Sequence, residues 1–342
     1  MTQALLRGSL IVAGAAFLSA TSPADLRAET VEEFYKGKQL KFIIHSKPGG
    51  AYDAWARLIG PHLVRYLPGQ PTFVPTNMPG GGGIIAANHL YVAAAQDGSV
   101  AGIIGRNLPY FALTKKKNVR YDPRKFNWLG SPELTSRVCA VTDKSPVKKA
   151  EELFEKEVLM GGAGAGTAVS TGPTMLNRLL GTKFKLVEGY GGSTDIQLAM
   201  ERNEVHGICQ SLSSLEEAMP GGIKSGKIIV LFNYERKPVP GLNAPSIQQF
   251  AKTEEQRKLL NLFSSTVEFG RPFVAPPNVP ADRVKALRVA FIKALEDPKM
   301  RKDAESQHKS ISVLNGEELT ALINDMMDTP PALVEKLNEL TK

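Results

Sequence analysis

The sequence predicts an α/β protein of two lobes. Three observations predict it. Short apolar runs alternate with helix-period segments, the alternation stops and restarts near residue 134, and glycine-rich loops recur directly after the strands. Strands alternating with helical patterns imply βαβ units and a largely parallel sheet. A length of 342 residues suits two domains.

Residues 1–28 read as a secretory signal. Arg7 gives a basic start, Leu10 to Ala20 a short apolar run, and Ala24 to Ala28 small residues for cleavage after Ala28. The run is too short to span a bilayer comfortably, so the expectation is an exported, periplasmic chain beginning at Glu29.

In the mature chain, Leu40–Ile44 reads as a strand and Ala54–Tyr66 as a helix, with Pro61 as a kink point. Thr72–Pro75 is a strand, Ile84–Ala95 a helix and Val100–Gly105 a strand. The pattern restarts with strand Val138–Thr142, helix Lys149–Glu155, strand Glu157–Met160 and helix Thr171–Leu180, closed by Gly181 as a natural C′ residue. Strand Phe184–Val187, helix Ser193–Arg202 and strands Val205–Cys209 and Lys227–Phe232 follow. Thr266–Val274 reads as a strand. Helices at about 281–296, 298–307, 316–327 and 330–341 are expected to pack back on the first lobe. Lobe one is thus expected over 29–133 and 242–342, and lobe two over 134–241. The chain would cross near Gly130–Leu134 and Asn233–Leu242.

The formal net charge is +8, and removing Arg7, Arg27 and Asp25 leaves +7. The basic residues are scattered apart from Lys115–Lys117 and lack aromatic interleaving, which argues against a nucleic-acid surface. A weak positive field suits an anionic ligand or an acidic partner. Cys139 and Cys209 have neither CxxC nor zinc spacing, so a disulfide and two buried thiols both remain open.

Four loops carry the chemistry. They are His45 to Asp53, Asn77 to Gly83, Gly161 to Thr167 and Glu188 to Ser193, each between a strand and a helix. Ligands of open α/β sheets bind outside the carboxyl ends of strands. Glycine permits close backbone approach, and a helix N-terminus presents free N–H groups to an anion. Asp53 and Asp195 fall in the first turns of their helices, where they complement the helix dipole or accept a bond from a ligand. Tyr52 and Tyr190 are placed to wall the cleft.

Other motifs carry less. Gly81-x-Gly83-x-x-Ala86 lacks the acidic ribose partner of a dinucleotide site, and Ile228 stands where a P-loop needs Ser or Thr. There is no GxSxG elbow and no HxxxH pair, so no cofactor and no metal are expected.

The ordered set Pro48-Gly49-Gly50-x-x-Asp53-x-x-x-Arg57, Asn77-Met78-Pro79-Gly80, Gln96-Asp97-Gly98, Gly162–Thr167, Tyr190–Asp195 and Phe273-Val274-Ala275-Pro276-Pro277 resembles the TctC/Bug family. These are periplasmic substrate-binding proteins of tripartite tricarboxylate transporters, and the resemblance covers nearly the whole mature chain. It implies a bilobed periplasmic-binding-protein fold, type II-like, with a two-crossing hinge that closes on an organic acid. Carried over, the ligand-binding positions are Ser46, Gly50, Ala51, Asp53, Gly81, Gly82 and Gly83 in one lobe. In the other they are Ala163, Gly164, Ala165, Gly166, Thr167, Ser170, Tyr190 and Asp195. Tyr52, where the family has a small residue, is a departure and is expected at the site as a cleft wall. His45-Ser46-Lys47 departs from the more apolar stretch usual there, and Lys47 and Arg106 are candidates for a direct positive contact.

The expected function is a monomeric periplasmic receptor that delivers a small organic acid to a membrane permease of the tripartite tricarboxylate transporter type. The alternatives are a solute receptor for a sensor kinase, and an enzyme using Asp53 with Asp195 or His45 as an acid/base pair.

Overall fold

The computed structural model describes residues 29–133, 136–164, 167–235, 239, 241–307 and 309–340. The expected signal, 1–28, lies outside the described residues.

Two sheets form. The first contains β1 (Gln39–Ile44), β2 (Thr72–Asn77), β3 (Val100–Ile103) and β4 (Asn127–Ser131). The second contains β5 (Arg137–Thr142), β6 (Val158–Gly161), β7 (Phe184–Val187), β8 (Gly207–Ser211) and β9 (Ile228–Asn233). The chain then returns to the first sheet with β10 (Phe273–Ala275) and β11 (Leu314–Asn315), giving the order β11-β4-β10-β3-β1-β2 against β7-β6-β8-β5-β9.

The bilobed α/β fold is as expected, but neither sheet is parallel throughout. Parallel pairing is confined to β2-β1-β3 and β7-β6-β8. Next to each unit lies a strand that follows a stretch linking the sheets. β10 pairs antiparallel with β3 and β4, and β5 pairs antiparallel with β8 and β9. Such a strand enters without the helical crossover that parallel neighbours require.

The helices are α1 (Val31–Tyr35), α2 (Ala51–Tyr66), α3 (Ile84–Asn88), α4 (Leu108–Leu113), α5 (Ala168–Leu180), α6 (Ser193–Glu201), α7 (Leu212–Ala218), α8 (Glu254–Glu268), α9 (Ala281–Glu296), α10 (Pro298–Ser306), α11 (Gly316–Met327) and α12 (Pro331–Leu340). α2 buries Trp55, Leu58, Ile59 and Leu63 and runs through Pro61 without ending. Its Gly60 lies against the Phe73 ring, where a Cβ would overlap the ring atoms. α3 continues as wider π-type turns over His89–Ala93. Lys149–Glu155 forms only a 3₁₀ turn at Ala150–Phe154. Gly181 closes α5 at φ +83°, as its position implied.

The expected strand at Thr266–Val274 is corrected. Residues 254–268 form α8, and only Phe273–Ala275 are extended. Thr253 caps this helix reciprocally with Gln256, a start signal that outweighs the β-branched Thr266-Val267. The last four helices appear where the periodicity placed them. α9 and α10 pack on α2, and α11 on β4 and α4. α12 instead packs on α5 and α8. The α12 residue Asn338 accepts a bond from the Tyr110 hydroxyl at 3.0 Å. Arg178 of α5 donates to the carbonyls of Glu339 (3.2 Å) and Leu340 (3.0 Å).

The core follows this layout. Rings of Phe73, Phe42, Phe273 and Phe291 succeed one another across the first sheet at 5.5, 5.4 and 4.9 Å. A second apolar cluster runs from Ile43 and Leu90 through Leu259, Leu260 and Leu319 to Met175 and Cys209, so the lobes share buried surface. Cys139 and Cys209 face each other across β5 and β8 and are joined in a disulfide. Among the described residues, no helix is long and apolar enough to cross a membrane.

Candidate functional site

A cavity of about 650 Å³ lies between the lobes, within the size range of small-molecule sites. From the first lobe come His45 after β1, Tyr52 on α2, Gly80, Gly82 and Gly83 after β2, and Arg106 and Asn107 after β3. Tyr110, Phe111 and Lys116 follow from α4 and the turn beyond it. The second lobe supplies Arg137, the first residue of β5, and Thr171 on α5, while Leu262 and Phe263 of α8 complete the wall. None of these residues is acidic.

The near-lobe side is tightly built. Gly80 to Gly83 all have positive φ, from +58° to +129°. At Gly83 a Cβ would stand 3.0 Å from His45 Nδ1, so the position is closed to side chains on both conformation and space. The His45 ring meets Tyr52 edge-on at 4.3 Å. Burial, and then the charge of Arg271, push the imidazole down to about 4, so it is neutral at physiological pH. The Tyr52 hydroxyl accepts the Arg106 backbone N–H at 3.3 Å, which fixes the loop that carries Arg106. The Arg271 guanidinium lies over the Tyr52 ring at 5.0 Å and is paired with Glu133 at 2.6 Å.

The lining cations have no such partner. Among the described residues neither Arg106 nor Arg137 makes an ion pair, and Arg137 Nε is buried without a hydrogen bond. Burial and the like charge of Arg106 push Arg137 down to about 10, still protonated at neutral pH. Lys116 Nζ stacks over the Phe111 ring at 3.8 Å. Behind Arg137, burial and the charge of Glu268 push Glu235 up to about 7.

Of the residues expected at the site, Tyr52, Gly82, Gly83 and Arg106 line the cavity, and Gly81 lies within the same turn. Others do not. Asp53 is buried, with Oδ2 accepting from Gly49 N (2.9 Å) and Oδ1 from Arg57 Nε (2.9 Å) and Asn77 Nδ2 (2.8 Å). Burial alone would raise its carboxyl; the bonds from Asn77, Gly49 and Arg57 outweigh it and hold the group below the usual carboxylate value. Asp53 therefore organises the first loop from within. Asp195 repeats the device in the second lobe, accepting Gly191 N at 3.0 Å. Gly50 has φ −74° as the α2 N-cap, and the positive φ belongs to Gly49 at +78°. Ser46, Ala51 and Lys47 are absent from the lining.

The far-lobe loop is also turned inward. Ala163 N donates to Ser170 Oγ (3.1 Å), and Gly164 N (2.6 Å) and Ser170 Oγ (3.0 Å) donate to the Glu188 carboxylate. Thr167 Oγ1 donates to Gly164 O at 2.7 Å. These donors already hold an anion of the protein's own, and Tyr190 packs against the second-lobe core. Ala165 and Gly166 lie outside the described residues. Sequence reasoning missed Arg137, Lys116, Phe111 and Phe263. Only the topology brings them to one place. Among the described residues no cluster of three or more His, Cys, Asp or Glu is placed to hold a metal ion.

Known proteins extend this picture. No curated protein matches the chain. A TctC solute-binding protein from Polaromonas superposes with TM-score 0.69 at 16% identity, covering 88% of this chain and 99% of that one. MatC from Rhodopseudomonas palustris with bound malate gives 0.55 at 18%, covering 89% and 99%. Another R. palustris protein, with adipate, gives 0.57 at 18%, covering 89% and 97%. These likenesses show a common fold. The profile of the tripartite tricarboxylate transporter family receptor, TctC, matches residues 56–339. With most of its length matched by that profile, the chain belongs to the TctC receptor family.

Proposed function

We propose that the chain is a periplasmic solute receptor that takes a small organic carboxylate between its lobes and delivers it to a permease of the tripartite tricarboxylate type. The observation that carries the reading is the interlobe cavity, lined by Arg106, Arg137 and Lys116 and by no acidic residue. Cations without an ion-pair partner, Arg137 desolvated, Arg106 half-buried and Lys116 at the exposed rim, favour an anion that contacts both lobes at once. Binding then favours the closed arrangement, because only there do both lobes reach the ligand. Malate and adipate, held by two proteins of the same fold, belong to this chemical class. The family is one of receptors, and among the described residues the buried, fully engaged Asp53 leaves His45 without a carboxylate partner in the cavity lining.

A thermal-shift screen of protein from residue 29 onward against carboxylates, amino acids and neutral sugars tests this. At a hundred times its dissociation constant a ligand adds about 2.7 kcal/mol, or a few degrees for this length. A carboxylate that stabilises the protein and is recovered unchanged supports the reading. Chemical conversion of the ligand, or stabilisation by a neutral solute alone, overturns it.

A further inference from the structure

The cavity lining says more than that an anion binds. Four of its fourteen residues are Tyr or Phe, whereas Phe, Trp and Tyr together make up 7% of the chain. They come from separate elements, Tyr52 from α2, Tyr110 and Phe111 from α4 and Phe263 from α8, so one amphipathic helix does not explain them. Leu262 is the one large aliphatic side chain among them. The cations are distributed unevenly. Arg106 and Arg137 come from opposite lobes and are close enough that the charge of one acts on the other. Arg137 is held over the Tyr234 ring at 6.0 Å, which orients it without neutralising it. Lys116 stands apart on the Phe111 ring.

We propose that the ligand is an aryl carboxylate, its carboxylate held between Arg106 and Arg137 and its ring against the aromatic wall. The assignment rests on the receptor reading above and narrows it to a ligand class. Guanidinium groups match the planar carboxylate with paired donors, and two from opposite lobes require lobe approach to engage together. An arene supplies a flat face for the Tyr and Phe rings, which an alkyl chain of equal length lacks. Lys116 offers a second acidic substituent a partner across the ring. Without an anion, two like charges face each other across the cleft; with one bound, their repulsion is replaced by attraction to a shared centre.

Calorimetric titration of the whole mature chain with benzene-1,4-dicarboxylate and with adipate isolates the aromatic part, because both are dianions of similar span. The expected result is at least roughly tenfold tighter binding of the arene, from stacking beyond equal charge. Arg137→Gln is expected to weaken both ligands by roughly tenfold to a hundredfold, the worth of a charged hydrogen bond. Arg106→Gln, in the half-buried loop after β3 rather than in a strand, serves if the β5 variant does not fold. Phe111→Leu is expected to erase the preference for the arene and leave adipate unchanged. Equal or tighter binding of adipate, or unchanged affinity in both arginine variants, overturns this inference and leaves the receptor reading standing. Silence of the wild type toward every carboxylate overturns both.

Discussion

Replacing Asp53 by Asn puts the first loop to a direct test. The carboxylate is 4% exposed and accepts three bonds, one on Oδ2 from Gly49 N and two on Oδ1 from Arg57 Nε and Asn77 Nδ2. An amide has one oxygen. In one rotamer its NH₂ faces the Gly49 N–H; in the other it faces Arg57 and Asn77. Either way a donor meets a donor in a buried place. The milder rotamer keeps two bonds without their charge and loses the third. At about 1.5–3 kcal/mol for a charged hydrogen bond and about 1 for a neutral one, the loss is about 2.5–7 kcal/mol. A chain of this length unfolds with about 0.7 kcal/mol per degree, so the melting temperature should fall by about 4–10 °C at pH 7. Thermal melts followed by circular dichroism measure it. The folded pKa of Asp53 lies below its ordinary 3.8, so its stabilisation is complete above that value and lost as pH falls through the lower one. The gap between wild type and variant should therefore close only at acid pH. Asp195→Asn is the control, since that carboxylate is exposed and holds one bond. A variant at Asp53 that melts within about 1 °C of wild type, as Asp195→Asn should, refutes the reasoning.

Two further outcomes are expected. The Cys139–Cys209 bridge closes a loop with a sequence separation of 70, worth about 4 kcal/mol on the chain-entropy scale. The double Ser variant should melt several degrees lower and become insensitive to reductant; equal melting of bridged and reduced wild type would contradict this. Glu235 is raised to about 7 in the folded protein from an ordinary 4.5, so it favours folding fully below 4.5 and that contribution is lost as pH rises through about 7. Glu235→Gln should add on the order of 2–3 kcal/mol above pH 7 and flatten the decline between pH 4.5 and 7, read from urea titrations across that range.

The elements that were legible in the sequence are those whose cause is local. β1, β7 and α9 carry their apolar period within a single window, and Gly181 ends α5 where a left-handed residue is required. The end of α8 is hidden because the β-branched Thr266 and Val267 favour a strand by residue type, although the Thr253–Gln256 cap is present in the sequence. The loops rich in glycine were found, but not where their donors point. Nothing local tells that Glu188, 24 residues beyond Gly164, will occupy that backbone N–H. Arg137 is likewise an unremarked basic residue at the head of a strand. Its place in the cleft follows from β5 lying antiparallel beside β8, which is fixed by tertiary order. The same pairing sets Cys139 against Cys209.

The last turn of α12 has a mechanical consequence. Within three residues it is bonded to both lobes, through Asn338 to Tyr110 of the cleft and through the carbonyls of Glu339 and Leu340 to Arg178 of α5. A joint that short resists separation but permits rotation, so it acts as a pivot. Groups near a pivot keep their spacing while distant ones swing through the widest arc. On the proposed closure, contacts made by a ligand beside Tyr110 should therefore be nearly the same in the open and closed forms. They add to affinity without favouring either form, and the free energy that drives closure comes from groups at the far side of the cavity.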